Sequence, residues 1–334
     1  MKMFSRSIVS GILVLFASAG ISHAHDFTTA RPDGHAPIGV MADHTHKTGE
    51  IMLSYRYMRM EMEGNRSGNN RVSVDQVLSE FPIAPTRMTM DMQMLGLMWA
   101  PNDQWTLTVM APWLNLSMDH RTRSGGSFTT RAEGFGDIRV SALRVLFRRG
   151  AHSVHAGMGI GLPTGSINQR GTPMGAKVKL PYPMQLGSGT WDLHPSLTYA
   201  GQDQNWSWGS QVRATIRPGR NDNGYSLGDR AGLSVWGARQ LGAVSVSLRL
   251  DGELWGDIDG ADSELNPAMV PTARPDLRGG RRLDAGIGVN WALSGIMAGH
   301  RLAAEFLAPV AQHLDGPQLE TDWSVVTGWQ YTWG

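Results

Sequence analysis

The chain has no cysteine in its 334 residues, so it carries no disulfide, no thiolate metal site and no cysteine nucleophile. Charge is also scarce. Lys, Arg, Asp and Glu make up 18% of the residues and the formal net charge is +1, which leaves no basic surface for a nucleic-acid partner. Beyond the amino terminus there is no long hydrophobic run. Every apolar stretch is interrupted within a few residues by Arg, Asp, Glu, Gln or Gly, whereas a membrane helix needs about 20 apolar residues in succession. Helical spacing is rare as well. An ordinary helical or disulfide-stapled architecture is therefore excluded, and stability has to come from a closed network of backbone hydrogen bonds.

The amino terminus has Lys2 and Arg6 ahead of an apolar stretch from Ile8 to Ile21, then Ser22-His23-Ala24 as a small-x-small cleavage site. That anatomy predicts a secretory signal peptide over 1–24 and a mature chain starting at His25. Next comes a His-containing periplasmic segment or plug over 25–48, and the remainder, 49–334, reads as one unit rich in short alternating segments.

The alternation has a period of two. Val244, Val246, Leu248 and Leu250 interleave with Ser245, Ser247, Arg249 and Asp251, and Leu283, Ile287, Val289 and Trp291 with Arg282, Asp284 and Asn290. Twelve strands are expected, near 50–62, 87–100, 104–119, 134–148, 151–164, 189–201, 205–218, 228–240, 242–256, 281–293, 299–310 and 319–333. The links after even-numbered strands are tight, such as Arg149-Gly150 and Leu241-Gly242. Those after odd-numbered strands are mostly long: 63–86, 120–133, 165–188, 219–227, 257–280 and 311–318. An even strand count with turns and loops sorted to opposite ends is the plan of an all-β, transmembrane, antiparallel up-and-down β-barrel with long extracellular loops and short periplasmic turns. Many of the 12 Trp, including Trp105, Trp113, Trp206, Trp291 and Trp333, sit near strand ends, where an amphipathic ring gains most at a membrane–water interface. The expected location is the cell outer membrane. The expected partners are outer-membrane lipid, the barrel-assembly machinery and a small-molecule solute, with no nucleic acid.

Gly134-Phe135-Gly136-Asp137-Ile138, then Gly161-Leu162-Pro163-Thr164-Gly165, then Leu186-Gly187-Ser188-Gly189-Thr190-Trp191 resemble, in order and spacing, a family of outer-membrane barrels labelled as transporters of the meta-pathway of phenol degradation. The resemblance runs from about 45 to 334. It implies a barrel and passage of a small molecule. The chain departs from the usual barrel ending, since Gly334 follows Trp333 where a terminal aromatic is expected.

Three sets of residues carry candidate chemistry. On the polar strand faces lie Arg56, Asp91, Asp137, Arg139, Arg213, Arg217, Arg249, Asp251, Glu253, Arg282, Asp284, Arg301, Glu305 and Asp322. These would line the lumen, either as a conduit whose opposed charges select small solutes or as a salt-bridge network that fills and stiffens it. The second set is thioether and imidazole: His25, His35, His44 and His46 with Met58, Met60, Met62, Met88, Met90, Met92, Met118 and His120. Soft sulfur favours Cu(I), so this set predicts copper handling, although alternation places Met58–Met62 inward and Met88–Met94, opposite Thr89, Asp91 and Gln93, outward. The third set is His120, His152, His155 and His194 as candidate bases. With no Gly-x-Ser-x-Gly elbow, no catalytic residue and no enzyme activity are expected. Asp257, Asp259 and Asp262 lack a complete calcium loop and read as a solvated turn. The expected function is a passive channel for a small molecule, an aromatic or other hydrophobic compound among them, with no cofactor. A copper- or other metal-binding envelope protein is the alternative, and a purely structural barrel the third reading.

Overall fold

The computed structural model describes residues 27–334; the signal segment and His25 lie outside the described residues. The strands and one short helix follow in chain order. The first stretch holds β1 (Ile51–Gly68), β2 (Asn70–Val72), α1 (Val74–Glu80), β3 (Ile83–Asn102), β4 (Trp105–Thr122), β5 (Ser127–Phe135), β6 (Ile138–Arg149) and β7 (His152–Leu162). Then come β8 (Arg170–Gly171), β9 (Val178–Lys179), β10 (Asp192–Gln202), β11 (Trp206–Thr215), β12 (Tyr225–Ser226), β13 (Arg230–Leu241), β14 (Val244–Trp255), β15 (Asp259–Gly260), β16 (Gly280–Ala292) and β17 (His300–Trp333).

Eleven of these elements, β1, β3, β4, β6, β7, β10, β11, β13, β14, β16 and β17, pair antiparallel with their neighbours, and β17 pairs back onto β1 to close the ring; β2 and β5 attach outside that path. Closure pairs every strand of the ring on both sides, which is what a strand protein in hydrocarbon requires. Twelve strands were expected. The difference lies in β17, a single element of 34 residues. Its first part pairs with β16 from Arg301 to Leu314, and its last part with β1 from Leu314 to Trp333, so the chain reverses within one hydrogen-bonded element. The loop expected at 311–318 is therefore strand. Most of the loop expected at 120–133 is strand too, because β4 continues to Thr122 and β5 pairs back onto it after a turn at 123–126. The strand expected over 134–148 is interrupted at Gly136–Asp137.

The burial pattern is inverted relative to a water-soluble protein. Leu95, Leu97, Val109, Leu197, Val212, Leu248, Leu250, Ile287 and Phe306 stand exposed on the outside, while Ser54, Thr106, Thr108, Thr198, Gln211, Ser234, Ser245 and Asn290 are buried inside. A continuous apolar exterior of this extent fits hydrocarbon rather than water. Trp323 and Trp333 lie ten residues apart on the outer face of β17. At about 3.3 Å per residue and a tilt of about 40° they span roughly 25 Å, the height of a barrel's apolar band. Arg144 lies over the Trp105 ring and Arg239 over Trp206, each at 5.4 Å, at the short-turn end, and Arg230 over Trp255 at 5.8 Å at the long-loop end. Aromatic and cationic groups thus mark both rims.

The structure corrects the facing of β3. Met58 pairs with Met92, Met60 with Met90 and Met62 with Met88, so all six share the inner face with the buried Arg56. Asp91, expected in the lumen, lies on the outer face with Tyr57, Arg59, Glu61 and Arg87. Tyr57 Oη donates to Asp91 at 2.5 Å, and Arg87 Nη2 to Glu61 at 3.0 Å. The reason is length. β1 and β3 have 18 and 20 residues and outrun the apolar band, so their outer face turns polar above it. Inside, at the same height, Met88 and Met118 pack against Leu180, Met184 and Leu186 of the loop 163–191, which folds into the mouth. Asp322 is also displaced. Pairing steps from Glu61–Trp323 to Met62–Thr321, leaving Asp322 as the extra residue of a bulge, while Thr321 turns inward to Arg282.

Candidate channel lumen

The amino-terminal segment occupies the lumen. It begins at the short-turn end, where Phe27 N donates to Gly150 O, and climbs to Gly39–Ala42. It then descends to Thr48, whose backbone N and Oγ1 both donate to Asp103 in the β3–β4 turn. Its contacts come from inner faces around the ring. Arg301 Nη1 donates to Pro32 O at 2.7 Å, and Nη2 to Thr29 O at 3.0 Å and Arg31 O at 2.9 Å. Ser245 Oγ donates to Pro32 O, Gln211 Nε2 to Met41 O and His155 Nε2 to Ala42 O. Ile38 packs on Ala303, Leu307, Val326 and Met58, and a Cβ on Gly328 would come within 2.9 Å of its Cδ1. Side chains on the wall hold backbone carbonyls of the segment, so it is anchored without joining the sheet.

Above the segment lies a cavity of about 550 Å³ lined by six arginines and five carboxylates. Most of these are paired. Arg213 clamps Asp251 through two bonds of 3.0 and 2.9 Å, and Asp251 also accepts from Ser234. Arg249 Nη1 lies 3.4 Å from Asp251, and its Nε donates to Glu305 at 2.7 Å. Glu305 in turn accepts from Gly39 N at 2.8 Å, so the wall network ends on the luminal segment. Arg217 meets Asp192 at 3.0 Å and Arg282 meets Asp284 at 2.9 Å. No such partner is found for Arg139 among the described residues. Arg139, Arg213, Arg217, Arg249, Asp251, Glu253, Arg282 and Asp284 line this cavity. Arg56, Arg301 and Glu305 lie buried at or below the segment. On the opposite side the lining is apolar, with Met58, Met60, Met110, Leu143, Leu186 and Val326.

The three glycine-rich motifs meet at Asp137. Its Oδ1 accepts from Gly165 N at 2.8 Å, and its Oδ2 from Ser188 N at 2.7 Å and Ser188 Oγ at 3.0 Å. Gly165 and Gly187 approach so closely that a Cβ on Gly187 would lie 2.5 Å from Gly165 O. The clamp ties the loop 163–191 to the wall where β5 and β6 are interrupted. Over the mouth this loop meets the loop 256–279 through a buried ion pair of Lys179 with Asp262, and the loop 216–229 through Tyr182, which packs edge-on against Tyr225 at 4.9 Å. Asp262 is thus paired with Lys179 and Asp259 with Arg220, while Asp257 accepts from the Arg278 and Gly279 amides, an arrangement with three separate partners rather than a calcium loop.

The other candidate sites separate. His120 stacks on Phe128, and Met88 and Met118 belong to the apolar cluster under the mouth loop. His35, His44 and His46 come together inside the luminal segment, with Asp43, a residue the sequence reading did not single out. Among the described residues, His152 meets Tyr199, His155 a backbone carbonyl and His194 Thr215, so none of the candidate bases contacts a serine in a triad.

A family model described as "Putative MetA-pathway of phenol degradation" matches residues 64–308. No curated protein matches in sequence. Among solved structures, the chain is similar to an outer membrane channel from Pseudomonas putida F1, with 15% identity over 89% of this chain and 100% of that one and a TM-score of 0.65, which supports the barrel fold. The transport unit of the autotransporter AIDA-I from Escherichia coli overlaps more loosely, with 9% identity over 88% and 93% of the two chains and a TM-score of 0.48. The translocator domain of NalP from Neisseria meningitidis does likewise, with 11% identity over 86% and 90% and a TM-score of 0.44.

Proposed function

This chain belongs to the family described as a putative MetA-pathway of phenol degradation, and from that premise we propose that it is a passive outer-membrane channel for a small molecule. One observation carries the reading: a closed barrel with an apolar exterior holds a cavity of about 550 Å³ between a luminal segment and a folded mouth loop. A cavity of this size accommodates a single small solute. Its arginine and carboxylate wall faces an apolar methionine and leucine wall, which suits a solute with an apolar body and a polar or anionic group, such as an aromatic acid or a phenol. A bare hydrocarbon would leave Arg139, which has no carboxylate partner among the described residues, without a polar group to meet it. Transit requires the luminal segment to shift. That is physically reasonable for a segment held by wall side chains rather than by sheet pairing.

The test is reconstitution. Purified protein in planar bilayers and in liposomes is compared with a variant lacking 27–44, and solute flux is followed for benzoate, phenol and a neutral sugar. The expected result is low, flickering conductance for the full chain, a steady larger conductance for the deletion, and faster flux of the aromatics than of the sugar. A folded deletion variant that neither conducts nor passes any solute would overturn the channel reading.

A further inference from the structure

The luminal segment folds back on itself, and three imidazoles and a carboxylate lie between its two legs. The His35 and His44 ring centroids are 3.9 Å apart, and those of His44 and His46 are 4.9 Å apart. His44 Nδ1 lies 2.8 Å from Asp43 Oδ1, and His46 Nδ1 lies 3.2 Å from Glu50 Oε2. Asp43 Oδ2 accepts from Ala36 N at 2.9 Å and lies 4.0 Å from His35 Nδ1. One ligand atom from each of His35, Asp43 and His44 lies within 4.8 Å of the others.

Three ring nitrogens, His35 Nδ1, His44 Nε2 and His46 Nε2, are buried with no hydrogen-bond partner. Buried polar atoms are normally satisfied, so three bare nitrogens in one cluster require a reason. His46 holds Nδ1 on Glu50 and leaves Nε2 free, whereas the carboxylate beside His44 Nδ1 is Asp43, itself one of the three donors that lie within 4.8 Å of one another. A carboxylate behind an imidazole fixes its tautomer and aims the other lone pair, as it does behind metal-bound histidine.

We propose that His35, Asp43 and His44, with His46 as a fourth donor, bind one divalent transition-metal ion of the Zn²⁺ or Cu²⁺ class. The ion would staple the rising leg to the descending leg of the luminal segment. The donor set selects the class: imidazole and carboxylate suit these ions, Cu(I) would want the thioethers that the cluster lacks, and Ca²⁺ would want more oxygens. Arg56 and Arg301 lie close enough to oppose a cation, and Asp43 with Glu50 offsets them, so the affinity is expected to be micromolar rather than picomolar. The site is independent of whether the barrel conducts, because its binding is read in detergent without a membrane.

The experiment uses untagged mature protein carrying His25→Ala, which removes the chelate formed by an amino-terminal histidine. Zn²⁺ is titrated against a chromophoric competitor. One ion per chain at micromolar affinity is expected, with binding weakened at least about 30-fold in His35→Ala/His44→Ala and unchanged in His152→Ala. Heat-modifiable gel migration reports whether each variant folds. If the double variant does not fold, Cu²⁺ electron paramagnetic resonance on the His25→Ala protein decides instead. Nitrogen couplings from two or more imidazoles support the site, because this cluster alone among the described residues brings imidazoles together. Substoichiometric binding, an unchanged affinity in the folded double variant, or a Cu²⁺ signal without imidazole nitrogens overturns it.

Discussion

Arg301→Met should release the luminal segment while sparing the barrel. Arg301 is buried, and its guanidinium holds three carbonyls of the segment, at Thr29, Arg31 and Pro32. Hydrogen bonds to a charged donor contribute about 1.5–3 kcal/mol each. Nη2 divides between Thr29 O and Arg31 O, and the carbonyls rehydrate once the segment leaves. We therefore count two effective bonds at the lower figure, about 3 kcal/mol, or roughly two decades in the balance between seated and released segment. Methionine keeps much of the apolar stem and removes the donors. The chain has no cysteine, so Val40→Cys, at a position buried against Trp236, supplies a single thiol that is protected while the segment is seated. In the fast-exchange regime, its rate of modification by a membrane-impermeant maleimide reads the released fraction. The Arg301→Met background should label about a hundredfold faster at the same folded fraction. Labelling within about threefold of the parent, with the barrel heat-modifiable, would refute the assignment of Arg301 as the main anchor.

Leu248 is 68% exposed on the outer face, so Leu248→Arg should destabilise the inserted barrel by about 2–4 kcal/mol in denaturant unfolding from vesicles. Ser247→Ala, at the adjacent inward position, should change stability by less than about 1 kcal/mol, because the Ser247 hydroxyl has no partner to lose. Asp137→Ala removes three hydrogen bonds to the mouth loop and should expose 163–191 to limited proteolysis. Gly187→Ala should do the same with the carboxylate intact, since its Cβ would collide with Gly165 O. Glu305→Gln leaves the buried Arg249 without its main counter-charge and should cost about 3 kcal/mol or more of stability, with faster Val40→Cys labelling through the lost Gly39 contact.

The arithmetic of alternation was legible residue by residue for β14 and β16. Val246, Leu248, Leu250, Ile287 and Val289 face out, and Arg249, Asp251, Arg282 and Asp284 face in. These strands lie within the apolar band, where lipid outside and water or protein inside impose one rule along their whole length. Asp91 and Met88–Met92 went the other way because β3 extends beyond the band, where the outside is polar and the inside is filled by Leu180 and Met184. No count of polar and apolar residues within β3 contains that information, since it depends on which loop folds into the mouth. The bulge at Asp322 was hidden for a similar reason, being fixed by pairing with β1 rather than by β17 itself.

The sequence by itself determined that the chain is a closed antiparallel barrel with an apolar outer face and a polar inner one. Those features follow from a solvent boundary that acts on each strand alone. Only the tertiary structure decided that residues 27–50 sit inside the ring on Arg301, Gln211 and His155. It alone converged three glycine motifs on Asp137 and gathered His35, Asp43, His44 and His46 between two legs of one segment. The first two join residues from distant parts of the chain, and the third depends on how the segment turns back on itself inside the ring. Packing inside a closed wall is selected by the shape and hydrogen-bonding needs of all the surrounding strands at once, and no local pattern records it.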